Sequence, residues 1–370
     1  MADRPQLTFF CELATPALAE LFSDPRVVEG LVRLSARVSL AILDFSDARA
    51  KLARELHQAG VPVVAWLLLP RETGYWLNVG NVRPARDRYL NFREWSRTQE
   101  LTWSAIGLDF EPDYREVEAF LAGRRGGVVG RALRRLFQRR AYEEATLAYD
   151  DLAARMRADG FRLESYHLPL LLDDRKANLR FFRKLLGVID VPVDVEVQML
   201  YSSLVPRWGA GILDAYGPEA DAIGVGITGG GVELPGMAGL ANLTWEELVR
   251  DLHWASRWSS NLQIFSLEGC VRSGYWNRLT GLDGSDVDSL FESEAIRTVR
   301  TNSEIQTRLH RSNRQPVREN DSLLRKRNTR RARRFRRFVS IFLQGVRFRW
   351  HLFALVLLAG AALFFRRVFL

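Results

Sequence analysis

The chain has 370 residues, of which 47% are hydrophobic, so it is long enough for one large domain or two ordinary ones. Its net charge of +9 is uneven: from Arg308 onward there are 17 Lys and Arg against 2 Asp and Glu, whereas the preceding residues hold 36 basic and 42 acidic groups. Two cysteines exclude a disulfide framework and a Cys-rich zinc cluster, and the N-terminus lacks the pattern of a secretory signal, so we expect a reducing, cytoplasmic setting.

Short apolar runs rich in β-forming residues predict eight strands. Helical patterns separate most of them, including 47–60 and 141–160, which end on glycine, and a segment that opens with the capping box of Thr244 and Glu247. This alternation predicts an α/β fold, a (β/α)8 TIM barrel, with a doubly wound open sheet as the alternative. The eight runs are 7–13, 37–45, 61–69, 104–111, 162–171, 193–200, 222–228 and 261–268.

An arginine-rich insertion, Gly123 to Arg140, lies between the fourth strand and the next long helix. It contains seven arginines and no acid. One interpretation is a solvated helix face with a glycine turn. The other is a contact with a membrane surface through Leu133, Leu136 and Phe137, which share a helical face with arginines around them.

The C-terminal region predicts a membrane anchor, with a barrel domain at 1–300, a basic linker at 301–337 and the anchor at 338–370. The 15 residues from His351 to Phe365 carry no acid, Lys or Arg. As a helix they would cover about 22 Å of a hydrocarbon core of roughly 30 Å. Flanking arginines that snorkel outward and local thinning of the bilayer would accommodate this shortfall.

Nine of the thirteen residues from Arg325 to Arg337 are basic. By the positive-inside rule they lie on the cytoplasmic side, so we expect the barrel to face the cytoplasm and the tail to bind lipid head groups. An amphipathic helix lying in the membrane interface is the alternative. No nucleic-acid-binding module is recognisable, and we predict no specific nucleic-acid partner.

Polar side chains collect at the predicted strand ends, where a (β/α)8 barrel has its active site. Asp109 and Glu111 are two residues apart, so they share one face of the fourth strand. Two adjacent carboxylates raise the pKa of one of them, which suits a general acid. Salt-bridged strand ends without a catalytic role are the alternative. The other candidates at strand ends are Glu12, Asp44, His167, Gln198, Tyr201 and Glu268.

Aromatic residues follow the same strand ends. Their faces pack against the apolar face of sugars, while carboxylates and amides bind the hydroxyl groups, so the pattern indicates a carbohydrate ligand. The alternative is that these rings simply cover the core. The aromatic candidates are Tyr75, Trp76, Tyr114, Trp208, Tyr275 and Trp276.

The sequence SAIGLDFE (104–111) resembles the strand-four motif DxxDxDxE of the chitinase-type glycoside hydrolases of family 18, which are TIM barrels. The resemblance implies that Glu111 is the proton donor and that Asp109 assists it. QMLYS (198–202) is similar to the strand-six Met-x-Tyr-Asp of that family, with Met199 and Tyr201 matching. The chain departs from the family at 104 and 107, where Ser and Gly replace acids, and at 202, where Ser replaces Asp.

A second resemblance concerns the segment FEP (110–112), which is similar to the Asn-Glu-Pro strand-four acid of another large clan of glycosidases. There the nucleophile is a Glu on strand seven, whereas the nearest candidate here, Glu268, follows the eighth strand. We therefore predict a membrane-anchored, glycoside hydrolase-like barrel with Glu111, Asp109 and Glu268 as catalytic residues. The predicted substrate-binding residues are Glu12, Asp44, Tyr75, Trp76, His167, Gln198, Tyr201 and Trp276.

Two other classes of function fit the same strand ends. Carboxylates with one imidazole, His167, are the ligands of divalent-metal-dependent sugar isomerases and phosphodiesterases, which would use Mg, Mn or Zn. The glycine cluster at 226–231 would then cradle a phosphate. The third class is a non-catalytic scaffold that binds a carbohydrate or a lipid head group. The favoured glycosidase hypothesis requires no cofactor and no metal.

Overall fold

The structure, a computed structural model, describes residues 4–205, 207–231, 242–284, 286–291 and 319–348, with side chains in the last range for 327–343. Each of the eight predicted apolar runs contains a strand, so the prediction of eight strands is confirmed. The strands are β1 Gln6–Cys11, β2 Arg37–Ile42, β3 Val63–Leu67, β4 Ala105–Asp109, β5 Leu163–His167, β6 Val195–Met199, β7 Ala222–Gly226 and β8 Asn261–Phe265.

All neighbouring strands pair in parallel, in sequence order, and form a closed barrel. Closure is made by β8 and β1, where Leu7 lies opposite Leu262 and Phe9 opposite Ile264. An open sheet is thereby excluded, and the (β/α)8 prediction is confirmed. Parallel neighbours bring the carboxyl ends of all eight strands to one end of the barrel, called the top below.

Helices connect the strands, and their ends carry the predicted local signals. Ser46 caps α3, the predicted capping box of Thr244 and Glu247 opens α11, and Gly60 and Gly160 follow helices with positive φ. The helices up to residue 205 are α1 Thr15–Ser23, α2 Pro25–Arg33, α3 Asp47–Gln58, α4 Val82–Thr98, α5 Tyr114–Leu121, α6 Arg125–Phe137, α7 Arg139–Ala158, α8 Leu170–Lys176 and α9 Phe181–Leu186. The later ones are α10 Gly211–Tyr216, α11 Trp245–Ala255, α12 Leu267–Arg272, α13 Tyr275–Thr280 and α14 Glu319–Phe348.

Alternation along each strand separates the core into two layers. One set of side chains packs outward against the helices; Phe9, for example, meets Trp276 of α13 with ring centroids 5.2 Å apart. The other set fills the barrel and includes Phe10, Trp66 and Tyr166. A strand residue therefore reaches the interior only if it has the right parity.

The lower part of the barrel is polar and paired. Arg37 forms an ion pair with Glu164, and Gln263 donates a hydrogen bond of 3.3 Å to the other oxygen of the same carboxylate. Above them, the hydroxyls of Ser39 and Tyr166 are 2.8 Å apart. These buried polar groups pair with one another, although Gln263 Oε1 has no partner among the described residues, so the bottom of the barrel is a structural plug.

Residues 319–337, which the sequence analysis assigns to a basic linker, form the first part of the helix α14. This helix lies against α8 and α10. Its buried side chains Ala332, Val339 and Leu343 recur at helical spacing. This buried stripe is not evident from the sequence, because arginines occupy most of the positions between the buried residues.

The predicted anchor begins within the same helix, since residues 338–348 complete α14. None of the helices in the described part of the chain is long and apolar enough to cross a membrane. The apolar run from His351 to Phe365 lies outside the described residues.

Candidate active site

Three carboxylates meet at the top of the barrel. Asp109 ends β4 and is buried, Glu111 is two residues further on the same face and is half-buried, and Glu12 directly follows β1 and is buried. Asp109 interacts electrostatically with Glu12, which lies on the opposite side of the barrel, so its side chain points inward. The expectation that Asp109 and Glu111 share an inward face agrees with this geometry.

Burial and mutual repulsion shift the pKa values of this pair. The pKa of Asp109 is raised well above its usual value, first by burial and then by the charges of Glu111 and Glu12, while the indole N–H of Trp66 opposes the shift. Burial raises the pKa of Glu111 to about 7, and a hydrogen bond with Asp109 opposes the rise. The pair therefore retains a proton near neutral pH, with Asp109 protonated first and Glu111 able to gain and lose a proton.

The sequence predicts that one of two adjacent carboxylates has a raised pKa, and in the structure the charge of Glu111 contributes to the raised pKa of Asp109. The pKa of Glu111 is raised by burial instead, and its interaction with Asp109 opposes the rise. The two groups differ in depth: Asp109 is one pleat further inside the barrel, where an ionised carboxylate is less favourable. Its Oδ1 atom has no hydrogen-bond partner among the described residues.

Tyr75 and Trp76, two of the predicted substrate-binding residues, lie at the rim of the site. The Tyr75 hydroxyl donates a hydrogen bond to Glu12, and the backbone of Tyr75 has a positive φ of 63°. The rings of Tyr75, Trp76 and Tyr114 contact one another, with centroids 5.7 to 5.8 Å apart. The guanidinium of Arg71 lies 5.6 Å from the Tyr114 ring. Together these side chains form an aromatic wall on one side of the carboxylates.

Tyr201 follows β6 and is buried on the opposite side of the site. Burial raises its pKa, and the charges of Asp109 and Glu111 raise it further, so the phenol stays protonated and can donate a hydrogen bond. Glycines on β7 make room for its ring, because a Cβ on Gly224 would lie 3.2 Å from it. The predicted site residue Tyr201 therefore belongs to the same cluster as the acid pair.

An aromatic floor lies beneath the carboxylates, and the sequence analysis did not identify it. Phe10 contacts Trp66, Tyr166 and Phe265, with centroids 5.1, 4.8 and 5.7 Å apart. A signal was present in the sequence, because Phe10 precedes Glu12 by one strand repeat. The floor excludes water from the lower side of Asp109, which explains the burial that dominates its pKa.

Glu268 lies at the edge of this cluster, in the first turn of α12. Its Oε1 accepts hydrogen bonds from the backbone N–H groups of Glu12 (3.3 Å) and Gly231 (3.2 Å), and Oε2 has no partner among the described residues. Burial raises its pKa, and it also lies beside the buried, reduced Cys11. These hydrogen bonds hold the backbone at the start of the loop after β1, so Glu268 fixes the position of Glu12.

His167 and Gln198 have the outward parity of their strands and lie opposite each other in the β5–β6 register. The His167 ring stacks on Phe110 at 5.6 Å in the layer between strands and helices, and burial lowers its pKa to about 4. Gln198 donates a hydrogen bond to Glu196. The structure therefore places both predicted substrate-binding residues outside the barrel interior, since the prediction used nearness to the strand end and not the face.

The side chains of Asp44 and Trp276 also make their contacts away from the acid pair. Asp44 accepts hydrogen bonds from Thr15 (2.6 Å) and Arg49 (3.3 Å), and its pKa is lowered by these bonds although burial opposes them. The Trp276 indole donates a 3.0 Å hydrogen bond to the carbonyl of Arg26 and packs between helices. Neither side chain is brought to the acid pair. Of the remaining aromatic candidates, Trp208 packs against α14 and Tyr275 against Trp245.

Within the described ranges, no group of three or more His, Cys, Asp or Glu side chains is arranged to hold a metal ion. The carboxylate of Glu12 instead accepts a hydrogen bond from Tyr75 through Oε1. Its Oε2 lies against the glycine loop, where a Cβ on Gly231 would be 3.0 Å away. What the arrangement offers is a proton-bearing acid pair, phenol donors and apolar rings at one end of a barrel.

Comparisons with known proteins give structural neighbours alone, since no family model and no curated protein matches the chain. A GH18 chitinase from Pseudoalteromonas aurantia is 9% identical over 74% of this chain and 97% of its own, with a TM-score of 0.38. An L-ribulose 3-epimerase is 13% identical (83% and 100%, TM-score 0.38), and a D-allulose 3-epimerase from Methylomonas sp. is 12% identical (80% and 98%, TM-score 0.38). At these scores the TIM-barrel assignment rests on the closed eight-stranded barrel of this chain itself.

Proposed function

We propose that this barrel hydrolyses a glycosidic bond, with Glu111 as the general acid. The observation that carries the proposal is the Asp109–Glu111 pair, in which Glu111 has a pKa of about 7 at the top of a barrel. A carboxylic acid with a pKa near the working pH is protonated often enough to donate and acidic enough to do so readily. The strand-four resemblance to the chitinase-type hydrolases supports the same assignment.

The other residues of the cluster have separate roles in this proposal. Glu111 protonates the glycosidic oxygen, water adds to the anomeric carbon as the bond breaks, and the proton released by that water restores the acid. Asp109 lies one pleat below Glu111 and influences its protonation, and Tyr201 donates a hydrogen bond to the sugar. The aromatic wall of Tyr75, Trp76 and Tyr114 packs against the sugar ring.

We further propose that the protein works at a membrane, through the basic and apolar C-terminal region. The sequence features that support this are the nine basic residues of Arg325–Arg337 and the apolar run of His351–Phe365. With the barrel on the cytoplasmic side, its substrate is a glycan in the cytoplasm or one linked to the membrane.

The test of the catalytic proposal is Glu111→Gln against the matched control Glu72→Gln, an exposed glutamate. Both variants and the wild type are assayed on a panel of glycan oligomers, with thermal melts and ligand binding alongside. We expect loss of turnover in Glu111→Gln alone, with folding and oligomer binding retained. Equal turnover in Glu111→Gln and wild type would remove the assignment, and binding without turnover in the wild type would favour a non-catalytic carbohydrate-binding barrel.

A further inference from the structure

The helix α14 presents two opposite faces. Its inward positions, the buried Ala332, Val339 and Leu343 and the half-buried Arg336, recur every three or four residues and face the barrel. At 100° per residue, the exposed side chains fall on the other side. Along that side, basic residues come first and apolar residues follow. In chain order the outward face consists of Arg327, Arg330, Arg331, Arg334, Arg337, Phe338 and Ile341.

The inward face attaches α14 to the barrel through ion pairs and ring contacts, and this attachment is called the mount below. Arg336 pairs with Asp173 at 3.2 Å and with Glu219 at 2.8 Å, and its guanidinium lies 4.5 Å from the Tyr216 ring. The Phe335 and Trp208 rings are 4.2 Å apart. Because half-buried charges cannot separate without losing their partners, α14 holds one orientation relative to the barrel.

Close backbone packing adds to this mount. A Cβ on Gly211 would lie 2.6 Å from the carbonyl oxygen of Asn328, so α10 and α14 are in contact at that point. Further along α14, Val339 and Leu343 join a cluster with Phe181 and Phe182 of α9 and side chains of α6. The helix α14 therefore contacts the rest of the protein along most of the length for which its side chains are described.

The outward face has no such partners. Its arginines form no ion pair with described residues, in contrast to Arg333 and Arg336 of the same helix, which pair with acids. Phe338 is 51% exposed and Ile341 is 61% exposed. Two large apolar side chains in the open, directly after a row of free cations, are typical of a helix lying in a membrane interface.

Another helix, α6, also exposes a large apolar residue. Phe137, the last residue of α6, is 76% exposed, while Leu133 and Leu136 of the same helix belong to the cluster under α14. Arg134 is exposed next to them and has no ion pair among the described residues. The arginine-rich insertion thus supplies a third exposed apolar residue with a cation beside it.

We infer that the outward face of α14 lies on a bilayer containing anionic lipids and fixes the orientation of the barrel on it. The arginines contact the head groups, and Phe338 and Ile341 enter the interface. The chain continues from Phe348 into the apolar run of His351–Phe365, so it would enter the bilayer from the apolar end of this face. The inference rests on the proposed membrane location, but not on the catalytic proposal.

A nucleic acid is the other polyanion that a row of arginines attracts. The exposed Phe338 and Ile341 decide against it, because apolar side chains gain nothing from a phosphate backbone and are buried by a bilayer. A lipid surface is therefore the favoured partner, and RNA binding by the wild type and the triple variants described below is measured as the alternative.

The test places a fluorescent reporter on the outward face of the full chain. Ile341→Cys is labelled with NBD, and Leu147→Cys, an exposed residue of α7, is the control site; both native cysteines are buried. The labelled chains are reconstituted into vesicles of phosphatidylcholine alone or with an equal part of phosphatidylglycerol, with spin-labelled lipid as quencher. We expect a blue shift and quenching at 341 in the anionic vesicles, and neither at 147.

Charge reversal separates local contact from overall charge. Arg330, Arg334 and Arg337 are changed to Glu together, and the control changes Arg33, Arg86 and Arg155, which are exposed elsewhere, by the same total charge. We expect the first triple variant to lose at least about tenfold of its anionic-vesicle partitioning, and the control to stay within about threefold of wild type.

Each other outcome has a defined meaning. Equal quenching at 341 and 147, or equal losses in the two triple variants, would overturn the oriented mount while leaving membrane association in place. No association of the wild type with either vesicle, or loss of RNA binding alone in the first triple variant, would overturn the lipid surface. Turnover of a soluble glycan by the triple variants tests the catalytic proposal separately, because α14 lies outside the acid pair.

Discussion

Asp109 and Glu111 differ in depth by one strand repeat, and this difference assigns their roles. The deeper carboxyl is surrounded by the aromatic floor and keeps its proton, while the outer one is half-buried and has a pKa of about 7. The interaction between the two groups acts in opposite directions on them: it raises the pKa of Asp109 and lowers that of Glu111. Sequence spacing predicts the pair, but the order of protonation depends on what lies beneath it.

The first prediction concerns the pH dependence of turnover. A general acid must be protonated, so the rate should fall as pH rises through about 7, the pKa of Glu111. Glu111→Gln should lower turnover by about 10²–10⁴-fold. Asp109→Asn keeps a neutral hydrogen-bond donor and should lose less, about tenfold. Initial rates across pH for the three proteins check this, and a wild-type rate that is flat from about pH 5 to 9 would contradict the acid role of Glu111.

The second prediction concerns stability. Carboxyls with raised pKa values bind more protons in the folded state than in the unfolded chain, where their pKa is about 4. Their contribution is favourable below that value and is lost as pH rises through about 7. Asp109→Asn removes the group whose ionisation is unfavourable in the folded state, so the variant should exceed wild type in stability at about pH 8 and by less at about pH 5. Denaturant unfolding at both values measures the difference, which should not grow on acidification.

The third prediction concerns Gly107, where the chain departs from the strand-four motif it resembles. A Cβ there would lie 2.4 Å from the Tyr166 hydroxyl, so the space of the missing side chain is filled by a tyrosine from the next strand. Gly107→Ala should cost about 1–3 kcal/mol through overpacking. Gly126→Ala, on α6 with nothing within 4 Å, should be neutral or stabilising by up to about 1 kcal/mol. Equal melts for the two variants would show that Tyr166 can move aside.

Two of the predicted site residues lie away from the acid pair for the same reason. His167 and Gln198 are close to strand ends, but their parity turns them toward the helices. The same alternation would have identified Phe10, one strand repeat below Glu12, and Trp66, which is level with Gly107, one repeat below Asp109. The number of strands can be predicted from the hydrophobic runs alone. Predicting the residues of the site also requires knowing which face of the strand each residue is on and which side chains fill the space beside it.

At the scale of elements, the strands were predictable because each is a short apolar run, and α14 was assigned differently because charge dominates its sequence. Its buried stripe consists of Ala332, Val339 and Leu343, with an arginine, Arg336, among them. A basic residue in a sequence is normally predicted to be exposed to solvent unless its acidic partners are known. The partners of Arg336, Asp173 and Glu219, are distant from it in sequence. Tertiary ion pairs of this kind cannot be inferred from local pattern.

The fourth prediction tests this element. Arg336→Gln leaves Asp173 buried without its guanidinium partner, although Tyr216 still donates a hydrogen bond of 2.7 Å to it. The variant should lose about 2–4 kcal/mol of stability, or release α14 from the barrel. Arg337→Gln, the exposed neighbour, should change stability by less than about 0.5 kcal/mol. Thermal melts and the rate of tryptic cleavage within α14 are the measurements, and indistinguishable rates in the two variants would refute the mount.

At the scale of the whole molecule, the barrel, the mount and the apolar run have separable effects on membrane association. The barrel holds the acid pair, α14 fixes it to a basic and apolar face, and the sequence beyond Phe348 carries the predicted anchor. Exposed charges act within about 10 Å at moderate salt, so a contact made by arginines weakens when salt is added, whereas an inserted apolar segment does not.

The fifth prediction compares three chain lengths in membrane fractions. The full chain should stay with membranes through a high-salt wash. A chain ending at Phe348 should bind membranes at low salt through α14 and be released at high salt. A chain ending at Ser303 should be found free of membranes at either salt concentration, and it should melt at a lower temperature because Trp208 loses its contact with Phe335. If the shortest chain still sediments after the wash, α6 with its exposed Phe137 becomes an independent membrane contact; if the intermediate chain resists salt, the apolar run is not the anchor.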